Sequence, residues 1–216
     1  MQIKEAVKNV IRKVDQYSLY PLFYPFVMSK NEMALFDKLI SQSENYLEFG
    51  LGGSTIRVLL KSRAKVYSAE SNPEWISHMR KYAVLRYHEN KRLFIFPVDI
   101  GPSQKWGYPE SDSYQKHFHN YSTNILHNIE PEILDMVFID GRFRVACTLN
   151  IISECHRNDD LKIIIHDFWN REHYHILLKY LDVIDKVDTM GIFSIKNNIN
   201  LNLVEEDYEA YKLNPD

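Results

Sequence analysis

The feature that most constrains this chain is a glycine-rich turn that directly follows a short apolar stretch. Residues 46–55 read Tyr-Leu-Glu-Phe-Gly-Leu-Gly-Gly-Ser-Thr, so three glycines fall within four positions. Glycine accepts positive φ and lets bare backbone approach a ligand closely. The segment therefore predicts a β-strand over residues 45–49, a ligand-binding turn, and a helix over residues 55–62 that Ser54 or Thr55 caps.

The carboxylate of Glu48, two residues before the first glycine, indicates which ligands the turn accepts. A negative charge there repels a pyrophosphate but attracts a cationic ligand. The spacing of the turn approximates the GxGxxG pattern of dinucleotide-binding folds, which on its own is a weak signal. We interpret the turn as a nucleotide-cofactor loop, and its predicted ligand-binding residues are Glu48, Gly50, Gly52, Gly53, Ser54 and Thr55.

Strands and helices alternate along the rest of the chain. Further strands are predicted over residues 65–69, 92–98, 134–139 and 161–165, followed by an antiparallel pair over 183–187 and 192–196 that turns at Met190-Gly191. Helices are predicted over residues 2–16 and 172–181. Three others are predicted to begin at the Ser29–Glu32 capping box, at the Asn72-Pro73 cap and at about Ser113, and one that follows the fourth strand is predicted to end at about Cys155. This order predicts an α/β fold with a mostly parallel seven-stranded sheet, an antiparallel C-terminal strand and helices on both faces.

The chain divides into a central domain and two flanking segments. We expect one domain over residues 29–196, a helical and aromatic extension over residues 1–28, and a polar tail over residues 197–216 that forms a short helix or is disordered. Two prolines interrupt the aromatic stretch at residues 17–28. We interpret this stretch as a brace or lid on the domain, with a dimer contact or docking on a membrane surface as alternatives.

The composition is that of an ordinary globular protein, with 45% hydrophobic and 25% charged residues. The net charge of −3 gives no electrostatic indication of nucleic-acid binding. We expect a cytoplasmic protein, because no run reaches the roughly 20 apolar residues of a membrane span and residues 1–15 lack a signal-peptide core. Cys147 and Cys155 lie in one predicted helix, about 12 Å apart along its axis, which is too far for a disulfide.

Polar residues recur where the predicted strands end. In parallel α/β sheets, ligands bind at the carboxyl ends of the strands. Glu70 lies 18 residues after Gly52, near the spacing at which an acidic side chain binds ribose hydroxyls in Rossmann-like sheets. The strand-end residues are Glu48, Glu70, Asp99, Asp140, His166 and Asp167.

Together these features resemble the class I S-adenosylmethionine-dependent methyltransferases over residues 29–196, and the resemblance implies their Rossmann-like fold. It implies that the glycine turn and Glu48 bind the methionine part of the cofactor, that Glu70 and Ser71 lie at the ribose, and that Asp99 lies beside the adenine. Asp140 would begin the loop that faces both cofactor and substrate. The stretches Trp106-Gly107-Tyr108-Pro109 and Asp140-Gly141-Arg142-Phe143-Arg144 further resemble a small bacterial group of methyltransferase-like proteins.

Methyl transfer to a hydroxyl requires a base that removes the proton of the acceptor. His166 is our first candidate because an imidazole titrates near neutral pH. Asp140 and Asp167 are alternatives, either as bases or as partners that orient His166. These two acids also resemble the Mg²⁺ ligands of catechol-type O-methyltransferases, but the third ligand of that group corresponds here to Phe168, so a metal-assisted and a metal-free route both remain open.

Arg142 is the candidate for binding the methyl acceptor. A guanidinium binds carboxylate or phosphate with two parallel hydrogen bonds, which predicts an anionic acceptor such as a uronic acid or a phosphorylated glycan of a surface polysaccharide. Trp106 and Tyr108 are candidates for an aromatic wall over the acceptor or the adenine, with core packing as the alternative. Salt bridges to nearby acids are the alternative for Arg144.

The leading hypothesis is an O-methyltransferase that acts on a small-molecule or glycan-linked hydroxyl. An NAD(P)-dependent oxidoreductase is the second hypothesis, although Glu48 is poorly placed for a pyrophosphate. A catalytically silent methyltransferase-like scaffold is the third, and retention of Glu48, Glu70 and the glycines argues against it. The sequence lacks an Asn-Pro-Pro-Tyr-type pattern, so methylation of nucleic-acid bases is not favoured.

Overall fold

The computed structural model describes residues 10, 11 and 13–216, and its strands form one seven-stranded sheet in that part of the chain. The strands are β1 (Asn45–Phe49), β2 (Lys65–Glu70), β3 (Leu93–Pro97), β4 (Met136–Ile139), β5 (Lys162–Ile165), β6 (Leu181–Val187) and β7 (Met190–Ile195). Their order is β3-β2-β1-β4-β5-β7-β6, with β1 to β5 parallel and β7 antiparallel to both of its neighbours. The predicted α/β fold, including the antiparallel C-terminal strand, is therefore confirmed.

Helices cover both faces of the sheet. They are α1 (Lys30–Ile40), α2 (Gly53–Lys61), α3 (Pro73–Met79), α4 (Ala83–His88), α5 (Asn120–Thr123), α6 (Arg144–Cys155) and α7 (Leu201–Tyr211). Apolar side chains of α1 to α4 form a core with one face, and those of α5 to α7 form a second core with the other. Because both faces of the central strands are covered, β4 and β5 are almost uniformly apolar.

Two helix starts have the predicted capping geometry. At α1 the Ser29 hydroxyl accepts a hydrogen bond from the Glu32 N–H, and the Glu32 carboxylate accepts one from the Ser29 N–H. At α3 the Asn72 side chain accepts from the Trp75 N–H, and Pro73 occupies the first turn. These local signals need only a few neighbouring residues, which is why the sequence was enough to locate both starts.

The start of α2 differs from the prediction. The N-cap is Gly52, and the helix begins at Gly53, two residues before the predicted start. Thr55 accepts from the Gly52 N–H, as the third residue of a capping box does, while the Ser54 hydroxyl donates to Glu48. The prediction that Ser54 or Thr55 is the N-cap is therefore wrong. Both hydroxyls instead donate hydrogen bonds to the buried carboxylate of Glu48.

Three other segments also differ from their predicted form. The region after Ser113 is broken into 3₁₀ turns around the short α5, and residues 172–179 form a 3₁₀ helix. The hairpin between β6 and β7 turns at Asp188-Thr189, because Val187 pairs with Met190 and Gly191 lies within β7. Asp188 has a φ of 47°, a conformation that aspartate tolerates better than most residues, so a turn without glycine was not recognised.

The flanking segments pack on the domain in part. Of the predicted helix over residues 2–16, residues 10, 11 and 13–15 are helical, and residues 1–9 and 12 lie outside the described residues. In the aromatic stretch, Tyr24, Phe26 and Met28 pack on the core of α1 to α4, whereas Tyr20 and Leu22 are exposed. The polar tail contains α7, which packs on α6. Among the described residues, no helix combines the length and the apolar character needed to cross a membrane.

Candidate functional site

Glu48 lies beneath the glycine turn and holds it in place. Its side chain is fully buried, and its carboxylate accepts hydrogen bonds from the hydroxyls of Tyr46 (3.1 Å), Ser54 (2.9 Å) and Thr55. Burial raises the pKa of Glu48 to about 7, and these hydroxyl donors limit the rise. The predicted ligand-binding carboxylate thus faces the hydroxyls of its own turn in this structure.

The glycine turn lies directly against the loop that follows β4. Gly50 has a φ of 108°, and a Cβ atom there would lie 3.0 Å from the backbone nitrogen of Gly141. A Cβ atom at Gly141 would in turn lie 2.1 Å from the hydroxyl oxygen of Tyr121 on α5. Only glycine allows these two loops and Tyr121 to approach so closely. Tyr121 falls in the helix predicted from about Ser113, and no pattern in that segment marked it as part of the site.

Glu70 is the carboxylate at the end of one of the two strands that flank β1. It closes β2, the neighbour of β1, and accepts hydrogen bonds from the N–H groups of Ser71 and Asn72, both at 2.8 Å. Burial raises the pKa of Glu70 to about 7, although these N–H donors oppose the rise. Ser71 is buried beside it, whereas Asp99 lies one strand further out, is exposed, and accepts from the Gly101 N–H.

Asp140, His166 and Asp167 form one cluster at the ends of β4 and β5. The Nδ1 atom of His166 is 3.0 Å from an Asp140 oxygen and 3.9 Å from an Asp167 oxygen. The register of β4 and β5 pairs Ile139 with Ile165, so the residues that follow these two become neighbours. The His166 ring is buried, whereas the side chain of Asp140 is 33% exposed, so Asp140 is the more accessible member of the pair. The structure thus brings the three predicted catalytic residues together.

Arg144 connects the two acids of this cluster. Its guanidinium lies 3.1 Å from an Asp140 oxygen and 3.4 Å from an Asp167 oxygen, and it donates to the backbone carbonyls of Asp140, Gly141 and His166. Only 4% of its side chain is exposed. Burial opposes ionisation of Asp140, but the His166 hydrogen bond and the Arg144 charge lower its pKa overall. The ion-pair alternative considered for Arg144 is therefore what the structure shows.

Glu32 is a member of this cluster that sequence analysis did not assign to the site. Its carboxylate is buried, accepts from the N–H and hydroxyl of Thr189, and approaches Nε2 of His166 to 3.6 Å. Burial alone would lower the pKa of His166, but the hydrogen bond and charge of Asp140 and the charges of Asp167 and Glu32 raise it. The capping box at Ser29 predicted a local function for Glu32, and only the fold brings it to His166.

A divalent metal ion does not fit this cluster well. Ligand atoms of Asp140, His166 and Asp167 lie within 4.8 Å of one another, which is compatible with a metal centre by distance alone. However, the buried guanidinium of Arg144 already pairs with both carboxylates from the protein interior. A Mg²⁺ ion would have to share these acids with a fixed positive charge, so we derive no catalytic step through a metal.

Arg142 lies two residues before α6 and has different surroundings from Arg144. Its side chain is 7% exposed, and its guanidinium carbon lies 4.2 Å from the centroid of the Tyr108 ring. The hydroxyl of Tyr108 donates to the carboxylate of Asp216. Trp106 is 73% exposed and near Lys105, so core packing does not explain this residue. Of the two predicted aromatic wall residues, Tyr108 is thus the one that contacts Arg142.

Comparisons with known proteins agree on the fold. The sequence significantly matches neither a protein-family model nor a curated protein. A methyltransferase-like protein from Silicibacter pomeroyi DSS-3 superimposes with a TM-score of 0.74 at 24% identity, over 89% of this chain and 99% of that chain. An O-methyltransferase from Bacillus cereus, solved in complex with S-adenosylhomocysteine, gives a TM-score of 0.53 at 14% identity, over 89% and 90% of the two chains. The present chain therefore has the Rossmann-like fold that these methyltransferases share.

Proposed function

We propose that this protein is an S-adenosylmethionine-dependent methyltransferase that acts on a hydroxyl group of a small-molecule or glycan-linked acceptor. The observation that carries this proposal is the arrangement along one sheet edge. The glycine turn after β1, Glu70 after β2 and the Asp140–His166 pair after β4 and β5 follow one another at the carboxyl ends of adjacent parallel strands. This is where ligands bind in open α/β sheets.

The residues present fit the cofactor at two points. The glycine turn exposes bare backbone, since a Cβ atom at Gly52 would have no atom within 4 Å. Glu70 is a buried carboxylate at the strand end where ribose hydroxyls are expected. Residues proposed to hold the cofactor are Gly50, Gly52, Gly53, Ser54, Thr55, Glu70, Ser71, Asp99 and Asp140, with Glu48 holding the turn from beneath. When bound, S-adenosylmethionine supplies a sulfonium methyl group that is open to attack by an acceptor oxygen.

The Asp140–His166 pair is the proposed proton acceptor. The accessible carboxylate of Asp140 faces solvent, and His166 binds it from the buried side at 3.0 Å. Arg144 and Asp167 hold the pair in place through backbone and ion-pair contacts. In this arrangement the acceptor hydroxyl would lose its proton to the pair as its oxygen bonds to the methyl carbon and the carbon–sulfur bond breaks, so that S-adenosylhomocysteine leaves and no charge builds up on the acceptor.

The test of this function is a calorimetric titration of the full-length protein with S-adenosylhomocysteine, with NAD and NADP in parallel titrations. We expect micromolar binding of S-adenosylhomocysteine and no binding of the nicotinamide cofactors. The same titration with and without Mg²⁺ should give the same affinity, because Asp140 and Asp167 already pair with the fixed positive charge of Arg144. Binding of NAD or NADP in place of S-adenosylhomocysteine would refute the proposal.

The substitution Glu70→Ala tests the cofactor assignment. We expect the affinity for S-adenosylhomocysteine to fall by about tenfold or more, because hydrogen bonds to a charged group contribute about 1.5–3 kcal/mol. The affinity of the wild-type protein should also decrease as the pH falls below about 7, where Glu70 takes up a proton. Glu74→Ala is the matched control, since Glu74 is exposed on the first turn of α3. Equal affinities for all three proteins would show that Glu70 does not bind the cofactor.

A further inference from the structure

Arg142 carries a buried positive charge whose guanidinium has unpartnered donors in the described structure. Its Nε and Nη1 atoms are inaccessible to solvent and have no hydrogen-bond partner. Within the described part of the chain, no carboxylate lies close enough to Arg142 to form an ion pair. A buried charged donor without a partner is a costly arrangement, which proteins usually avoid unless a ligand completes it.

The acids of the catalytic cluster already pair with other cations. Arg144 interacts with both Asp140 and Asp167, and Arg171 lies 3.3 Å from the same Asp167 oxygen that Arg144 contacts. The charge of Arg142 lowers the pKa of Asp140, but the two side chains form no ion pair. Asp216 lies in the covering segment, and its carboxylate accepts from the Tyr108 hydroxyl. Among the described residues, the Arg142 guanidinium thus has no ion-pair partner.

The backbone presents Arg142 next to the catalytic pair. It lies two residues after Asp140 and two residues before the start of α6, a helix of 12 residues. The N-cap of α6 is Phe143, which offers no side-chain acceptor to the first turn, so the positive end of the helix dipole adds to the charge of Arg142. An anion that binds Arg142 would lie close to the accessible carboxylate of Asp140.

A turn and the end of the tail cover the guanidinium. Trp106 and Gly107 have positive φ angles of 67° and 76°, and this pair of left-handed residues leads Tyr108 over Arg142. The Pro215 carbonyl accepts from the Phe143 N–H beside it. Trp106 itself projects into solvent.

We infer that Arg142 and Tyr108 form the binding site for an oxyanion group, a carboxylate or a phosphate, on the methyl acceptor. This inference rests on the proposed function and names its substrate class. The guanidinium offers the unpartnered N–H groups of Nε and Nη1 to the oxygens of such a group, and the Tyr108 ring packs against it. The anion completes the hydrogen bonds of Arg142, and it places the acceptor hydroxyl next to Asp140.

The test uses inorganic phosphate and D-glucuronate as probes, with glucose as the neutral control. Each is titrated into the full-length protein, with and without saturating S-adenosylhomocysteine, in a buffer free of phosphate and sulfate. We expect one or both anions to bind with millimolar affinity and glucose not to bind. Arg142→Met should weaken anion binding by about tenfold or more, because it removes the charge-assisted hydrogen bonds. The stronger of the two probes distinguishes a phosphorylated from a carboxylated acceptor.

Thermal unfolding separates this ligand site from a structural function. The anion should raise the Tm of the wild-type protein and leave that of Arg142→Met unchanged. In the absence of anions, Arg142→Met should melt at or above the wild-type temperature, because it removes an unpaired buried charge. The control Arg80→Met removes an exposed arginine that pairs with Glu89, and it should keep the anion response. Arg142→Lys keeps the positive charge but loses the planar set of N–H donors, so it should bind the anion more weakly than the wild-type protein.

Two results would overturn the inference. One is equal anion affinity in the wild-type protein and Arg142→Met, and the other is no anion binding by the wild-type protein. The affinity for S-adenosylhomocysteine should stay within about twofold in Arg142→Met, since Arg142 is assigned to the acceptor and not to the cofactor. Failure of the anion test with normal cofactor binding would therefore leave the proposed methyltransferase function intact. Failure of cofactor binding with a normal anion response would refute the proposed function and, with it, the assignment of the anion to a methyl acceptor, and would leave Arg142 only as an anion site.

Discussion

The carboxylate of Glu48 is fully buried beneath the glycine turn, so its ionisation is coupled to folding. Burial raises its pKa from an ordinary value of 4.5 to about 7. Between these two values the folded protein binds more protons than the unfolded chain, and stability must therefore decrease as the pH rises from about 4.5 to about 7. Above that range the contribution of Glu48 no longer changes.

We predict that Glu48→Gln removes this part of the pH dependence. The free energy of unfolding of the wild-type protein should lose about 3 kcal/mol more than that of the variant between pH 4.5 and 7. Urea unfolding at about pH 5, 6, 7 and 8 measures the difference, and Glu70, which has the same sign of effect, is present in both proteins. Parallel stability curves for the two proteins would mean that Glu48 does not titrate in this range.

The two arginines after β4 show how position within a loop changes the function of a side chain. Arg144, at the start of α6, reaches three carbonyls and two carboxylates and fixes the catalytic cluster. Arg142, two residues earlier, stacks on Tyr108 and keeps unpaired donors. From the sequence, both arginines were expected to bind an anion. Whether that anion is a carboxylate of the protein or a group of the ligand could not be inferred from the sequence.

At the scale of secondary-structure elements, α1 connects the helix cap to the functional site. Ser29 and Glu32 form the capping box, and Glu32 also binds Thr189 in the hairpin and approaches His166. The cap of α1 and the position of the buried imidazole therefore depend on the same carboxylate. A substitution at the cap should therefore change both the stability of α1 and the position of the His166 ring.

We predict that Ser29→Ala destabilises the protein by about 1 kcal/mol, the usual cost of removing an N-cap hydroxyl. The hydroxyl accepts from the Glu32 N–H and donates to Asp188 across the gap to the β6–β7 hairpin. Ser41→Ala is the matched control, because Ser41 lies at the other end of α1, is exposed, and binds only the Lys38 carbonyl. Urea unfolding measures both variants, and equal midpoints would argue against a capping contribution.

At the scale of the whole molecule, the N-terminal aromatic stretch is part of the packed structure on one side of the glycine turn. A Cβ atom at Gly53 would lie 2.0 Å from the Pro25 carbonyl oxygen and 2.6 Å from Cβ of Phe26. The stretch therefore contacts the backbone at the start of α2. Its second half acts as the predicted brace, while exposed side chains such as Tyr20 and Leu22 leave the alternatives of a dimer or membrane contact as hypotheses.

We predict that Gly53→Ala displaces this brace and lowers stability by about 2 kcal/mol or more, the usual scale of overpacking. Gly52→Ala is the matched control, because Gly52 has an extended backbone with a φ of −171° and a Cβ atom added there would meet no other atom within 4 Å. Limited proteolysis should cut residues 17–28 faster in Gly53→Ala than in the wild-type protein or the control. Identical cleavage rates would show that the close contact at Pro25 does not hold the segment.

The sequence by itself determined the order of strands and helices and the sheet edge to which the site belongs. Alternating apolar strands, capping boxes and glycines act over a few neighbouring residues, so these features can be inferred from local patterns. Strand ends could likewise be recognised, which assigned Asp140, His166 and Asp167 to the same edge of the sheet. The broken segment after Ser113 and the Asp188-Thr189 turn were missed because their local signals were weak.

Only the tertiary structure decided what each polar side chain contacts. Glu48 accepts hydrogen bonds from the hydroxyls of its own turn, Glu32 comes from a distant helix to His166, and Arg144 pairs with both Asp140 and Asp167. Hydrogen bonds and ion pairs act over about 3 Å, and they join residues far apart in the chain only after the sheet and helices have packed. For the same reason, the unpartnered guanidinium donors of Arg142 are a property of the folded protein, in which Asp140 and Asp167 pair with Arg144 instead.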